Sequence, residues 1–333
     1  MVTQRPAICL KKKQLKNRRF LSDTESCLQR RARRQHPPLM QPAAHHVLSI
    51  DVEDYFQVEA FARDVAREDW DRWPSRVVDN TKRCLDLCDE VGAKATYFTL
   101  GWVANKFPGL VREIHQRGHE LACHSFWHRR VYTLTPEQFR EDVRQAKDII
   151  EQTSGAKVEG YRAPSWSITA KSLWALEVLA EEGFTYDSSI FPIHHDLYGI
   201  PGANRFPYRL QTANGGSLTE FPPVTVKIFG ATLPAAGGGY LRILPLWFNQ
   251  WALQRLAHSG SRTAVVYFHP WELDPDQPVI TTRLKSRLRH YTNLNRMEAR
   301  LRKILQTDRY QPFRDILATF RVEAGLTTER LRS

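Results

Sequence analysis

Residues 46–58 read His46-Val47-Leu48-Ser49-Ile50-Asp51-Val52-Glu53-Asp54-Tyr55-Phe56-Gln57-Val58. The apolar run through Val47, Leu48 and Ile50 passes within four positions into three acids, Asp51, Glu53 and Asp54, followed by two aromatic rings. A short β-branched apolar run marks a parallel strand buried on both faces, and α/β proteins gather their chemistry at the carboxyl ends of such strands. The stretch therefore predicts a buried strand that delivers carboxylates to a site. Taken alone, it reads equally well as a strand entering a solvated acidic turn.

Downstream, apolar runs recur at 94–100, 119–123, 157–161, 184–186 and 263–268, with helix-like stretches at 75–91, 102–117, 136–153 and 169–182. Gly118 and Gly183 stand where helices would stop ahead of the next strand. Thr135, Pro136 and Gln138 open the third helix with an N-cap followed by proline at the first helical position. Repeated βα units imply a parallel α/β sheet, and the chain length favours closure into a barrel over an open sheet with a second domain. Between 191 and 242 proline and glycine become dense, which predicts an insert of loops and hairpins lining a groove. Residues 281–306 read as a basic amphipathic helix or helix pair packed on the outside.

Charge separates the two ends of the chain. Of a net charge of +12, residues 1–46 carry +9, with eleven Lys and Arg against two acids, which leaves +3 for the remaining 287 residues. Residues 1–45 are read as a basic, disordered extension and 46–325 as the folded domain; nine Trp and 42% hydrophobic residues allow the latter a substantial core. The tail suits peripheral contact with an anionic membrane, and no specific nucleic-acid partner is indicated. No apolar stretch approaches the roughly 18 residues of a transmembrane helix, and none behind the basic region suggests a secretory signal. Five cysteines without a regular framework suit a reducing compartment, so the expected location is cytoplasmic.

The chemistry lies in short polar motifs at the strand ends. His124 and His128, in His-Ser-Phe-Trp-His, have a spacing that can turn two imidazoles toward one divalent cation. Two imidazoles and one strand-end carboxylate leave coordination positions open, as in catalytic rather than structural sites. Gly160-Tyr161-Arg162-Ala163-Pro164-Ser165-Trp166-Ser167, Tyr186-Asp187-Ser188-Ser189 and Phe268-His269-Pro270-Trp271-Glu272 follow three further strands. In a barrel all of these gather at one end.

With these five motifs in this order, the chain over about 46–310 resembles the polysaccharide deacetylase family, the carbohydrate esterases with the nodulation-factor deacetylase homology domain. Its motifs look like the branch found with bacterial exopolysaccharide biosynthesis clusters. The resemblance implies a distorted (β/α)7 barrel with parallel strands, a divalent metal and removal of N-acetyl groups from the amino sugars of an N-acetylated polysaccharide. The metal it implies is usually Zn2+, although Co2+, Ni2+ or Fe2+ would suit the same ligands. Carried over residue by residue, it makes Asp51 the general base, His124 and His128 metal ligands, Arg162 the holder of the base and His269 the general acid. The Ser165 amide would help hold the oxyanion, and Asp187 would orient His269. Most of the family carries two adjacent aspartates at the opening motif, whereas Val52 follows Asp51 here. The metal carboxylate is then Glu53, which shares strand parity with Asp51, or alternatively Asp54. Tyr161, Trp166 and Trp271 are expected as aromatic walls for sugar rings. Two other readings stay open: a catalytically silent glycan-binding relative, and an amidohydrolase acting on a small non-sugar amide.

Overall fold

The computed structural model describes residues 45–257, 263–322 and 326–330. The basic extension expected over 1–45, apart from His45, and with it Cys9 and Cys27, lies outside them. Twelve strands are described: β1 His45–Val52, β2 Thr96–Thr99, β3 Glu120–Cys123, β4 Gly160–Tyr161, β5 Tyr186–Asp187, β6 Tyr208–Gln211, β7 Ser217–Glu220, β8 Thr225–Ile228, β9 Ala231–Pro234, β10 Val265–Phe268, β11 Arg309–Gln311 and β12 Thr328–Arg330. Seven of these run parallel side by side in the order β10-β1-β2-β3-β4-β5-β7. No ladder joins β7 to β10 among the described residues, but Val224 beyond β7 donates its N–H to Val265 O at 3.2 Å, so a backbone contact spans the seam. The 191–242 region is therefore more than an insert on the barrel. It forms the expected hairpins, and one of them supplies the seventh parallel strand, β7, with β6 antiparallel beside it.

The helices follow their local signals. Thr135 accepts from Gln138 N, and Gln138 returns a bond to Thr135 N, a capping box ahead of the helix Pro136–Ser154. The single helix expected over 102–117 is two, Gly101–Lys106 and Pro108–Gln116, because proline cannot donate the bond that would continue the first. Gly118 and Gly183 take φ of 80° and 78° after their helices, a conformation that costs a residue with a Cβ but not glycine. The basic segment near the end is a pair, Leu284–Tyr291 and Leu294–Leu305, broken at Asn293 with φ of 59°. No described helix is long and apolar enough to cross a membrane.

Strand parity organises the core into two layers. Val47, Phe98, Ala122, Tyr186 and Val265 turn inward and pack with Phe221 and Phe313. Leu48, Ile50, Val52, Val266 and Phe268 turn outward under the helices. The helix Phe313–Val322 closes the amino end of the barrel: Phe313 N donates to Thr96 Oγ1 at 2.9 Å and Arg314 N to Glu120 Oε2 at 3.0 Å. Its first donors thus find acceptors at the starts of β2 and β3. The cavity lies at the opposite, carboxyl end.

Candidate metal centre

Parallel register sets the strand ends level. Ile50 pairs with Phe268 and Cys123 with Tyr161, which places His269 beside Asp51 and His124 beside Arg162. These side chains line the floor of a cavity of about 800 Å³, apart from Arg162, which lies buried beneath it.

Glu53, His124 and His128 are all buried, and one ligand atom from each lies within 4.8 Å of the others. His124 Nδ1 sits 2.8 Å from the carbonyl oxygen of Arg162, which fixes the proton on Nδ1 and leaves Nε2 as a lone-pair donor. Glu53 Oε2 lies 2.8 Å from His128 Nε2. A proton on Nε2 would make this a charge-assisted hydrogen bond; with the proton on Nδ1, two lone-pair atoms converge as a cation requires. Burial pushes the Glu53 carboxyl up, but His128 facing it, helped by His269 and His124, outweighs this and holds it at about 2. Burial holds His124 down at about 4, so its imidazole is neutral, the form that binds metal. The donor set therefore fits a divalent ion.

The loop carrying the histidines is held from both sides. Asp142, on the helix Pro136–Ser154, accepts from Phe126 N at 2.8 Å and Trp127 N at 3.3 Å. Arg67 donates to the carbonyls of Trp127 at 2.6 Å and His128 at 3.0 Å. Between these anchors Ser125 and His128 adopt φ of 71° and 51°, a strained backbone of the kind that collects at functional sites. Nothing in the sequence singled out Asp142 or Arg67, because each acts through backbone atoms of a loop remote from it in the chain.

Asp54 is excluded from the cluster by its own bonds. Its carboxylate accepts from Ser75 Oγ at 2.5 Å, from Arg76 N at 3.0 and 3.2 Å, and from Tyr55 and Val77 N at 3.1 and 3.3 Å. It caps the helix Val77–Val91 from a distant part of the chain. Burial pushes its carboxyl up to about 6 against those donors, whereas Glu53 stays ionised. Asp54→Ala is expected to lower stability by about 1–2 kcal/mol, the usual loss of a helix cap, with zinc affinity retained. Glu53→Ala should do the reverse, losing zinc affinity. Urea denaturation and zinc titration of both variants check this, and a zinc deficit in Asp54→Ala would return that residue to the ligand set.

Asp51 Oδ1 accepts from Arg162 Nη1 at 2.6 Å. Arg162 is wholly buried, gives its remaining bonds to Ser188 O and Oγ, and sits over the rings of Phe98 and Trp166 at 4.2 and 4.8 Å. The other oxygen, Oδ2, faces His269 Nε2 at 3.8 Å, and Glu53 Oε1 lies 3.7 Å from the same nitrogen.

The partner of His269 is not the expected one. Glu272 Oε2 lies 3.2 Å from His269 Nδ1 and accepts from His269 N at 3.0 Å, while Arg242 Nε donates to Glu272 Oε1 at 2.6 Å. Burial pulls His269 down, but the bond to Glu272, its charge, and those of Glu53 and Asp51 raise it to about 9. Burial likewise pushes Glu272 up, and Arg242 with His269 brings it to about 2. Asp187, expected in that role, instead accepts from Ser189 Oγ at 2.5 Å and lies opposite Glu220 across the β5–β7 ladder. The sequence carried a signal for Glu272: His-Pro-x-Glu has the three-residue spacing of a capping box, and the structure forms one there.

The aromatic residues divide. Trp166 lines the cavity with Ser165, both at φ of 54°. Trp271 also borders it, is as buried as Trp166, is stacked between His269 and His290 at 5.1 and 4.1 Å, and donates Nε1–H to Glu53 Oε1 at 3.3 Å. It is a support for the carboxylate rather than an open wall. Tyr161 is fully buried and points away from the cavity, packing on Phe139 and Phe184 beneath the helices, which corrects the expectation of a sugar contact. His195 also lines the cavity and stacks on Tyr198 at 3.8 Å.

A parallel barrel whose carboxyl end gathers two histidines and a carboxylate is one that could hold a metal ion there. Residues 69–186 match the family model for polysaccharide deacetylase, and 188–318 match a domain of unknown function (DUF3473). Over 69–186 the chain is thus similar to the polysaccharide deacetylase family. A peptidoglycan-N-acetylglucosamine deacetylase of Bacillus cereus is 30% identical over 29% of this chain and 36% of its own length. A peptidoglycan deacetylase of Helicobacter pylori is 29% identical over 34% of this chain and 38% of its own length. The matched part thus spans well under half of either relative. Among solved structures, a Mycobacterium smegmatis protein named as a candidate polysaccharide deacetylase superposes with a TM-score of 0.58 at 19% identity, over 90% of this chain and 96% of that one. PuuE allantoinase gives a TM-score of 0.58 at 14% identity, over 87% and 95%. At these identities the likeness is one of fold.

Proposed function

We propose that this protein removes N-acetyl groups from the amino sugars of a bacterial exopolysaccharide or its precursor, using a divalent metal, with Zn2+ the first candidate. The observation that carries the reading is the convergence of Asp51 Oδ2 and Glu53 Oε1 on His269 Nε2, at 3.8 and 3.7 Å, beside the Glu53, His124 and His128 set. The peptidoglycan deacetylases among the relatives support the choice of an amino-sugar amide.

A divalent ion held by Glu53, His124 and His128 would supply Lewis acidity and a more acidic water. The chain's own groups divide the proton work. Arg162 fixes Oδ1 of Asp51 and keeps the carboxylate aimed, so Oδ2 takes the proton of the attacking water. His269, held protonated by Glu272, delivers a proton to the departing amine nitrogen as the C–N bond breaks. The Ser165 amide is the candidate donor to the carbonyl oxygen.

Acetate release from N-acetylated oligosaccharide tests this. Release should disappear on chelation, return when zinc is restored, and be absent in His124→Ala. Metal-loaded protein that binds amino-sugar polymers yet releases no acetate from any of them would sink the reading.

A further inference from the structure

Above its acidic floor the cavity is walled by arginine. Besides Arg242, which is bonded to Glu272, Arg63, Arg67, Arg129, Arg130, Arg283 and Arg289 line it, opposed above the floor by Glu59 and Asp64, and no lysine lines it among the described residues. Two of the six have work within the protein: Arg67 holds the carbonyls of Trp127 and His128, and Arg130 faces Glu59 at 3.4 Å. Arg63, Arg129, Arg283 and Arg289 have no carboxylate partner among the described residues. They come from three separate stretches of chain, so no single charged helix face accounts for their meeting. Like charges gathered at one mouth repel one another, and such an arrangement favours a ligand that brings the opposite charge. Guanidinium, a planar fork of donors, matches carboxylate and phosphate in a way that ammonium does not.

A neutral N-acetylated chain leaves these groups unmatched. We propose that the substrate is an anionic glycan, in which the N-acetylated sugar stands next to an oxyanion that the arginine wall receives. That oxyanion is the carboxylate of a neighbouring uronate or the diphosphate of an activated precursor. The inference rests on the deacetylase reading for which sugar enters, and on the wall alone for the charge beside it.

Three probes separate the cases: hyaluronan hexasaccharide, with alternating uronate and N-acetylglucosamine, UDP-N-acetylglucosamine, and neutral N-acetylchitohexaose. Affinities of the metal-loaded protein are measured by competition against a fluorescent glycan. One acidic probe should bind at least about tenfold more tightly than the neutral one at about 50 mM salt, with the gap closing at about 500 mM as the charges are screened. Preference for hyaluronan identifies the uronate, and preference for the nucleotide sugar identifies the diphosphate. In the double variant Arg63→Gln, Arg289→Gln, shown folded by circular dichroism, the acidic-to-neutral ratio should fall to about threefold or less. Equal affinities for all three probes, or a preference that survives the double variant, overturns the inference. Acetate release from the three probes is scored separately: its absence from all of them counts against the deacetylase reading and leaves the binding ratio to decide this one.

Discussion

Asp51→Asn is expected to lower acetate release by about 10²- to 10⁴-fold, the usual contribution of a positioned general base, with zinc binding retained. Retention follows from the geometry, since the cluster that could hold a metal is Glu53, His124 and His128, while Asp51 bonds to Arg162. Asparagine keeps the shape and an acceptor but cannot take a proton at neutral pH. The substitution has a second effect. Arg162 is wholly buried, and its carboxylate partner is 3% exposed, so removing the charge leaves a guanidinium without compensation. Breaking a buried pair on one side costs about 3–5 kcal/mol. The aromatic rings around Arg162 and its bonds to Ser188 should soften that loss. Urea denaturation and zinc titration on the same preparation separate the two effects. Folded, zinc-loaded Asp51→Asn that deacetylates within about threefold of the parent would remove Asp51 from the proton path.

Strand parity explains which site residues were legible in the sequence. Inward positions on β1 are Val47, Ser49 and Asp51, and two residues further Glu53 reaches the cavity while Asp54 turns to the helix Val77–Val91. The same rule places Tyr161 outward on β4 and Arg162, just past its end, inward, and Tyr186 inward and Asp187 outward on β5. Applied to every strand, it would have withdrawn both Tyr161 and Asp187 from the site.

Other features were out of reach. The strands at 47–51 and 263–268 were visible because burial on both faces makes them almost continuously apolar. β7 has the sequence Ser-Leu-Thr-Glu and no such run, so its membership of the parallel set rests on pairing with β5. Arg242 had no local signal either, since its meaning depends on Glu272, 30 residues away. The residues that position His269 all lie within 188–318, the stretch matched to a domain of unknown function. That stretch thus completes the site begun by the motifs at 51–54, 124–128 and 162–166.

Glu272→Gln tests this completion. Glu272 touches His269 rather than substrate, so it is a positioning residue, and loss of such a contact typically lowers activity about 10- to 100-fold. A purely structural role would give the same fall, so the pH profile has to discriminate. In the parent, the charge of Glu272 helps raise His269 to about 9, which keeps the imidazolium available as a proton donor into the alkaline range. Glutamine removes that charge, so the folded-state pKa of His269 must fall and the donor form must be lost at lower pH. The alkaline limb of the kcat/KM profile should therefore move toward neutrality. Asp187→Asn, altering a carboxylate bonded to Ser189 and opposite Glu220, should leave that limb where it is whatever it does to stability. The reverse result, a shifted limb in Asp187→Asn and an unshifted one in Glu272→Gln, would restore Asp187 as the partner of His269. It would also mean that the 3.2 Å contact between Glu272 and His269 has no part in turnover.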